Sequence, residues 1–521
     1  MTKATTSTED PSIWLHLGDL PGYTGWARPF ETLAGSFGPP SFWPSNASWV
    51  VGKNATIRVH CIPSIAQTSR HQDHFCQHGG SLFYLRAYGP AVLPGRVMDY
   101  GNGTYDISFF PMDAGIYHLE VVLAFSSPPP FTAFPLSLDR KEEPAYEGYP
   151  LPGFPVVVDV QPESIPTSVV MKARDCQSAD FFWIGNARGP HPTENGRWIV
   201  QDKATSATGT KSSRSSKQGG GVSMGGYQKG LNSVGVRMKY APRHCRLLPL
   251  NRAIDKLGCA SGHNIHVIYI GDSNLRLQKN TFDSFWKTVS SKAAANNDSG
   301  LPHIETSLIS LHGGLHQTLP NVSLALRGIL HNATSTDSKK TATAHMILFN
   351  SGLHDISRRC AMPNGHELLS MNLSCTQDYK NSFRALLSLV SQFPADLKVL
   401  QTTTAGWPKY GNFGFAWPPT HPQTLPRDPN FVDHFNCVML QEVVNARTGT
   451  PRAAGSFGNS NSAISVMDAF WLTLSRPDHR EVDKTNAIGK HLVHPGPEVL
   501  NALTRQWITM IIESLCGGAS V

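Results

Sequence analysis

From about residue 245 onward, short apolar runs alternate with longer amphipathic stretches, and few architectures can accommodate that alternation. The β-like runs lie at 265–270, 307–311, 345–350, 398–402 and 464–470. Helical candidates lie at 278–291, 376–393, 431–447 and 498–516, and Leu386, Leu387, Leu389 and Val390 form an apolar stripe on the second. A strand that is apolar along its whole length must be buried on both faces. Five such runs separated by helices predict an α/β domain: a mostly parallel five-stranded sheet with helices on either side, over 246–521.

The chain ahead of this domain reads differently. Its 521 residues leave room for about two to four domains. Residues 1–40 show no periodicity. From 41 to 125 the pattern is short and alternating, clearest in Gly103-Thr104-Tyr105-Asp106-Ile107-Ser108-Phe109 and Ala114-Gly115-Ile116-Tyr117-His118-Leu119-Glu120-Val121. Two alternating strands joined by a turn predict an all-β sandwich. With the preceding Leu85-Arg86-Ala87-Tyr88-Gly89-Pro90, they resemble the end of a filamin-type immunoglobulin-like repeat. A Pro-rich stretch, 126–169 with Pro128-Pro129-Pro130, reads as a semi-rigid linker. Residues 170–245 form an entry segment holding a low-complexity loop at 204–226.

The net charge of +7 sits between Lys203 and Arg246. Lys203, Lys211, Arg214, Lys217, Lys229, Arg237, Lys239, Arg243 and Arg246 occur there with no acid among them, so the remaining chain is slightly acidic. Cations set among Ser, Thr and Gly, and not along a helix or one face, describe a solvated loop and not a nucleic-acid surface. No apolar run reaches the roughly 18 residues of a membrane span. The 9 Cys contain no CxxC pair, which argues against a zinc site. The local pairs Cys61/Cys76 and Cys360/Cys375 suit disulfides, and an odd count leaves at least one thiol over. Sequons at Asn46, Asn54, Asn102, Asn297, Asn321, Asn332 and Asn372 point the same way, to the secretory lumen or the extracellular space, although no apolar leader segment opens the chain.

The sharpest local feature is Ile268-Tyr269-Ile270-Gly271-Asp272-Ser273-Asn274-Leu275-Arg276. A buried strand ends in Gly, Asp and Ser, and a helix follows. Ligands of open α/β sheets bind at the carboxyl ends of strands, and helix N–H groups there stabilise an oxyanion. The plainer reading is that Asp272 or Ser273 caps the helix. Gly-Asp-Ser-x-x-Arg resembles the GDSL/SGNH hydrolase superfamily, and more narrowly its PC-esterase branch. That branch includes the neurexophilin-and-PC-esterase proteins and the trichome-birefringence-like, sialate and capsule-polysaccharide O-acetyltransferases. Gly196-Arg197-Trp198, Tyr240-Ala241-Pro242-Arg243-His244-Cys245, Gly313-Gly314, Asn350-Ser351-Gly352-Leu353-His354-Asp355 and His494-Pro495-Gly496 match its further blocks in order.

The resemblance implies an SGNH-type three-layer fold and serine-dependent acyl transfer, most simply of acetyl, onto or off carbohydrate hydroxyls. Ser273 would be the nucleophile and His494 its general base, with Gly313 or Gly314 lending N–H groups to the oxyanion. Arg276 either covers its helix or orients Asp272 or a sugar hydroxyl. Two departures stand out. The family's D-x-x-H reads His491-Leu492-Val493-His494 here, so the triad acid is Asp468, Asp483 or absent, the last leaving a Ser–His dyad. His354 replaces the oxyanion-hole Asn, with Asn350 a rival donor. The expected partners are a glycan substrate and, for a transferase, an acetyl donor. No dinucleotide or phosphate loop and no metal-ligand spacing is present, so no cofactor or metal is expected. The competing function is a secreted glycoprotein of the same fold that binds without turnover.

Overall fold

A computed structural model of the chain describes residues 41–43, 49–61, 81–125, 146–163, 174–181, 196–201, 237–295, 300–335, 343–356, 373–405, 429–448, 464–475 and 494–517. The strands of the first half are β1 (Ser41–Trp43), β2 (Ala55–His60), β3 (Leu82–Tyr88), β4 (Ala91–Pro94), β5 (Arg96–Asp99), β6 (Thr104–Phe109), β7 (Gly115–Phe125), β8 (Tyr146–Pro150), β9 (Val156–Val160), β10 (Arg174–Asp175), β11 (Gly196–Gln201), β12 (Arg237–Pro242) and β13 (Cys245–Arg246). An antiparallel sheet in the order β1-β2-β6-β5 faces a second sheet in the order β12-β11-β4-β3-β7-β8, with β9 also on β7. The alternation in β6 explains the sandwich. Tyr105, Ile107 and Phe109 are buried, while Thr104, Asp106 and Ser108 sit half-buried on the other side. The inward set packs with Ile57, Val59, Tyr117, Leu119 and Val121 in one core.

Two boundaries differ from the sequence reading. Residues 146–163, read as linker, hold β8 and β9, which both pair antiparallel with β7, so the sandwich runs on to Val160. The entry segment supplies the hairpin β11–β12, and β11 continues the sandwich sheet through Trp198↔Val92 and Ile199↔Ala91. Both were hidden for one reason: short strands among prolines and glycines pair with partners far away in sequence. The loop 204–226, residues 1–40 and the Pro128–Pro130 run lie outside the described residues.

The second half runs α1 (Leu250–Leu257), β14 (Asn264–Gly271), α2 (Ser273–Ala295), β15 (His303–Ser310), α3 (Leu315–Ser335), β16 (Thr343–Phe349), α4 (Leu353–Asp355), α5 (Leu373–Gln392), β17 (Leu397–Gln401), α6 (Pro429–Thr448), β18 (Ser465–Met467), α7 (Phe470–Leu474) and α8 (Pro497–Cys516). Its sheet is wholly parallel in the order β15-β14-β16-β17-β18. Successive side chains go to opposite faces. Ile268, Ile270, Ile347, Phe349 and Leu400 pack under α3, α5 and α6. Val267, Tyr269, Met346, Leu348 and Val399 pack under α1, α2 and α8. Continuous apolar strands therefore serve two cores at once. The last run is shorter than 464–470: the Asp468 carboxylate accepts the Phe470 N–H and turns the chain into α7. Cys176–Cys245 and Cys259–Cys516 are disulfides, Cys61 is also disulfide-bonded, and Cys437 is free. Cys76 and Cys360, half of each expected local pair, lie outside the described residues.

Candidate active site

Strand β14 is interior to its sheet, flanked by β15 and β16, so whatever follows its last residue lies between two other strand ends. Gly271 closes the strand, and its carbonyl accepts the Leu311 N–H at 2.8 Å, tying the β15 loop to this point. A Cβ at Gly271 would come within 2.6 Å of the Leu275 side chain, so the strand-to-helix turn is packed too closely for a larger residue. Asp272 then caps α2: its Oδ1 accepts the Asn274 N–H at 2.8 Å, and its carbonyl accepts the Arg276 N–H at 3.1 Å. The capping role belongs to Asp272. Ser273 is left as the first helical residue, with its hydroxyl outside the cap.

That hydroxyl meets His494. The Ser273 Oγ and His494 Nε2 are 2.8 Å apart, from residues separated by 221 positions. His494 is 7% exposed and immediately precedes Pro495, Gly496 and Pro497, which open α8. A serine hydroxyl in hydrogen-bond contact with an imidazole is the pairing needed for proton removal from a nucleophile. The N-termini of α2 and α8 both start beside this contact, and their partial positive charge favours an anion there.

Gly313 and Gly314 follow β15 with φ of 122° and 98°, a region that glycine enters without strain. The Gly314 N–H donates to the Leu311 carbonyl at 3.2 Å, whereas that of Gly313 has no acceptor among the described residues. Asn350 does not offer its amide to the nucleophile. Its Nδ2 donates to the Gln401 carbonyl at 2.9 Å and to Thr403 Oγ1 at 3.1 Å, which uses both hydrogens to tie β16 to β17. His354 is half-buried, and its ring meets that of His312 edge-on, centroids 4.6 Å apart. Arg276 is exposed. The Asp468 carboxylate is turned to the Thr402 hydroxyl at 2.9 Å and to the Phe470 and Trp471 N–H groups, and no hydrogen bond joins it to His494. Burial pushes Asp468 up to about 6, with those hydrogen bonds acting against the rise. Asp483 and His491 lie outside the described residues.

Several polar residues of this end of the sheet escaped the sequence reading. Asn274, 3% exposed, donates from Nδ2 to Thr404 Oγ1 at 3.0 Å. The Thr403 hydroxyl donates to the Ser351 carbonyl at 2.7 Å, and the Thr403 backbone exchanges two bonds with the Asn436 amide. The Ser351 and Tyr379 hydroxyls are 2.9 Å apart, and burial pushes the Tyr379 phenol well above its usual range. The available signal was Gln401-Thr402-Thr403-Thr404, a polar run directly after an apolar strand. As for metals, the one cluster of suitable ligands among the described residues is Cys176, Asp180 and Cys245, and its two sulfurs are already joined as a disulfide.

No protein-family model matches the chain, and no curated protein matches it. Among solved structures, the chain is similar to the Lin-41 filamin domain, at 14% identity over 23% of this chain and 91% of that one, with a TM-score of 0.15. It is also similar to an acetyl xylan esterase, at 9% identity over 49% of this chain and 100% of that one, with a TM-score of 0.26.

Proposed function

We propose that this protein is a serine-dependent acyltransferase or ester hydrolase acting on acyl groups, most simply acetyl, carried by carbohydrate hydroxyls. The observation that carries the reading is the 2.8 Å contact between Ser273 Oγ and His494 Nε2 at the carboxyl end of an interior parallel strand. His494 takes the hydroxyl proton as Ser273 Oγ attacks the ester carbonyl. A tetrahedral oxyanion forms, and its donors are assigned to the N–H groups of Ser273 and Gly313, the latter bonded to no backbone carbonyl among the described residues. Collapse expels the alcohol, protonated by His494, and leaves an acyl-serine. Water or a second sugar hydroxyl, deprotonated by His494, then releases the acyl group. Esterase and transferase differ only in that second acceptor. The glycan and the acetyl donor are proposals carried from the PC-esterase resemblance of the sequence blocks.

A fluorophosphonate probe tests the reaction class. Wild type should label at a single site, Ser273→Ala and His494→Ala should not, and p-nitrophenyl acetate turnover should fall with the labelling. Absence of labelling in a folded wild-type sample would leave the second reading, a binding shell without turnover. One observation favours that second reading: both hydrogens of the Asn350 amide nitrogen are engaged in tying strands together.

A further inference from the structure

Three loops meet above β14, and one carboxylate spans two of them. Asp355 closes α4, the short helix after β16, and is 2% exposed. Its Oδ1 accepts the N–H of Leu315 at 2.8 Å, across 40 positions. Leu315 is the first residue of α3, so Asp355 caps a helix that belongs to a different strand's loop. The approach is tight: a Cβ on Gly314 would lie 3.1 Å from the same Oδ1. Gly314, directly after Gly313, is thus held between the Leu311 carbonyl on one side and the Asp355 carboxylate on the other. Asp355 is itself held in place: Gly352, with φ 124°, caps α4, and the adjacent Ser351 is fixed by the Thr403 and Tyr379 hydroxyls.

We infer that Asp355 is a positioning residue for the proposed acyl transfer, setting the Gly313 N–H through its bond to Leu315. In this role it acts through the Leu315 N–H and not on the reacting atoms. The inference rests on the acyl-transfer reading. Displacing one oxyanion donor by about 1 Å costs on the order of 10²-fold. Substrate binding, which relies on other contacts, changes far less.

The test compares wild type, Asp355→Asn and Asp355→Ala in p-nitrophenyl acetate turnover, in inhibition by a boronic acid that mimics the tetrahedral state, and in hydrogen exchange of the segment around 311–319. Asp355→Ala should lower kcat by about 10²-fold with KM within about twofold, weaken the boronic acid in parallel, and speed exchange in that segment. Asp355→Asn keeps an acceptor oxygen and should recover most of kcat and of the protection, so the proposal stays testable if the alanine variant folds poorly. Wild-type kcat in Asp355→Ala, or in Asp355→Asn a loss of turnover no smaller than that of the alanine variant, would overturn it. If wild type neither labels with fluorophosphonate nor turns over, the acyl-transfer reading fails first, and faster exchange in Asp355→Ala then records a helix cap alone.

Discussion

Asp468 shows how a candidate acid can be spoken for by its surroundings. Its Oδ1 accepts from Thr402 Oγ1, Phe470 N and Trp471 N, and Thr402 Oγ1 in turn accepts the Ala469 and Phe470 N–H groups at 2.8 and 3.0 Å. The two residues lock the exit of β18 into α7. Removing a triad acid from a serine hydrolase costs about 10⁴-fold in kcat, whereas removing a turn residue costs stability. Asp468→Asn should therefore keep kcat on p-nitrophenyl acetate within about threefold of wild type, because an amide oxygen still accepts the three donors. Thr402→Val, which removes both donor and acceptor, should lower the melting temperature by about 2–4 °C, with kcat moving less. A fall of 10³-fold in Asp468→Asn would return that carboxylate to the proton path. Ser273 and His494, whose side chains the structure brings to 2.8 Å, lie in short blocks of distinctive spacing. The roles of Asn274, Asp355 and the threonines 402–404 were illegible because each acts through a partner 33 to 130 positions away, so a quoted block or a polar run marks the residue without its bond.

Among elements, the five strands of the parallel sheet were legible, its edges β15 and β18 included, and the inserted strands of the sandwich were not. Burial on both faces makes Val267–Ile270 of β14, Met346–Phe349 of β16 and Val399–Leu400 of β17 continuously apolar, and that writes them into the sequence. Helix α3 carries Pro320, which breaks the periodic signal, and strands β8, β9, β11 and β12 become strands only through remote pairing. One exception inside the parallel sheet is testable. His266 on β14 and His345 on β16 are register partners with ring centroids 5.7 Å apart, and His266 Nε2 lies 3.0 Å from Ser307 Oγ. Burial holds both imidazoles below their usual range, with Glu305 opposing at His266 and Asp396 at His345. A depressed imidazole means that the unfolded chain binds the proton more readily than the folded one. Its contribution is full above the unfolded value of about 6.5 and is lost as pH falls below it. Stability should thus decline between pH 7.5 and 5.5, and His345→Phe, which fills a similar volume beside Phe393, should flatten that decline. Melting temperatures of both proteins across the range give the check, and an equal slope in the variant would remove His345 from the account.

Over the whole molecule, the hairpin β11–β12 decides whether the sandwich and the α/β half are separate beads. β11 hydrogen-bonds to β4 in the sandwich, while the Trp198 indole N–H donates to the Leu472 carbonyl of α7 at 2.8 Å. β12 reaches the other way, the Met238 N–H meeting Glu498 Oε1 in the first turn of α8 at 3.0 Å, four residues beyond His494. Arg197 pairs with Asp113 of the sandwich through two short bonds, and Tyr84 of β3 packs into the core beneath α3 and α5. A module joined only by a flexible tether would melt by itself. One that shares a continuous sheet, a buried tryptophan and a core with its neighbour must unfold with it. Calorimetry of the full chain should accordingly give one transition spanning both halves. Trp198 is 1% exposed, so Trp198→Ala leaves a large cavity and one unpaired carbonyl at the seam, a cost of about 3–5 kcal/mol. If the seam is what couples the halves, that variant should split the single transition into two, with the sandwich and the α/β domain melting apart. Two transitions already present in wild type would show that the shared sheet carries no cooperativity, and that the sandwich is an attached module after all.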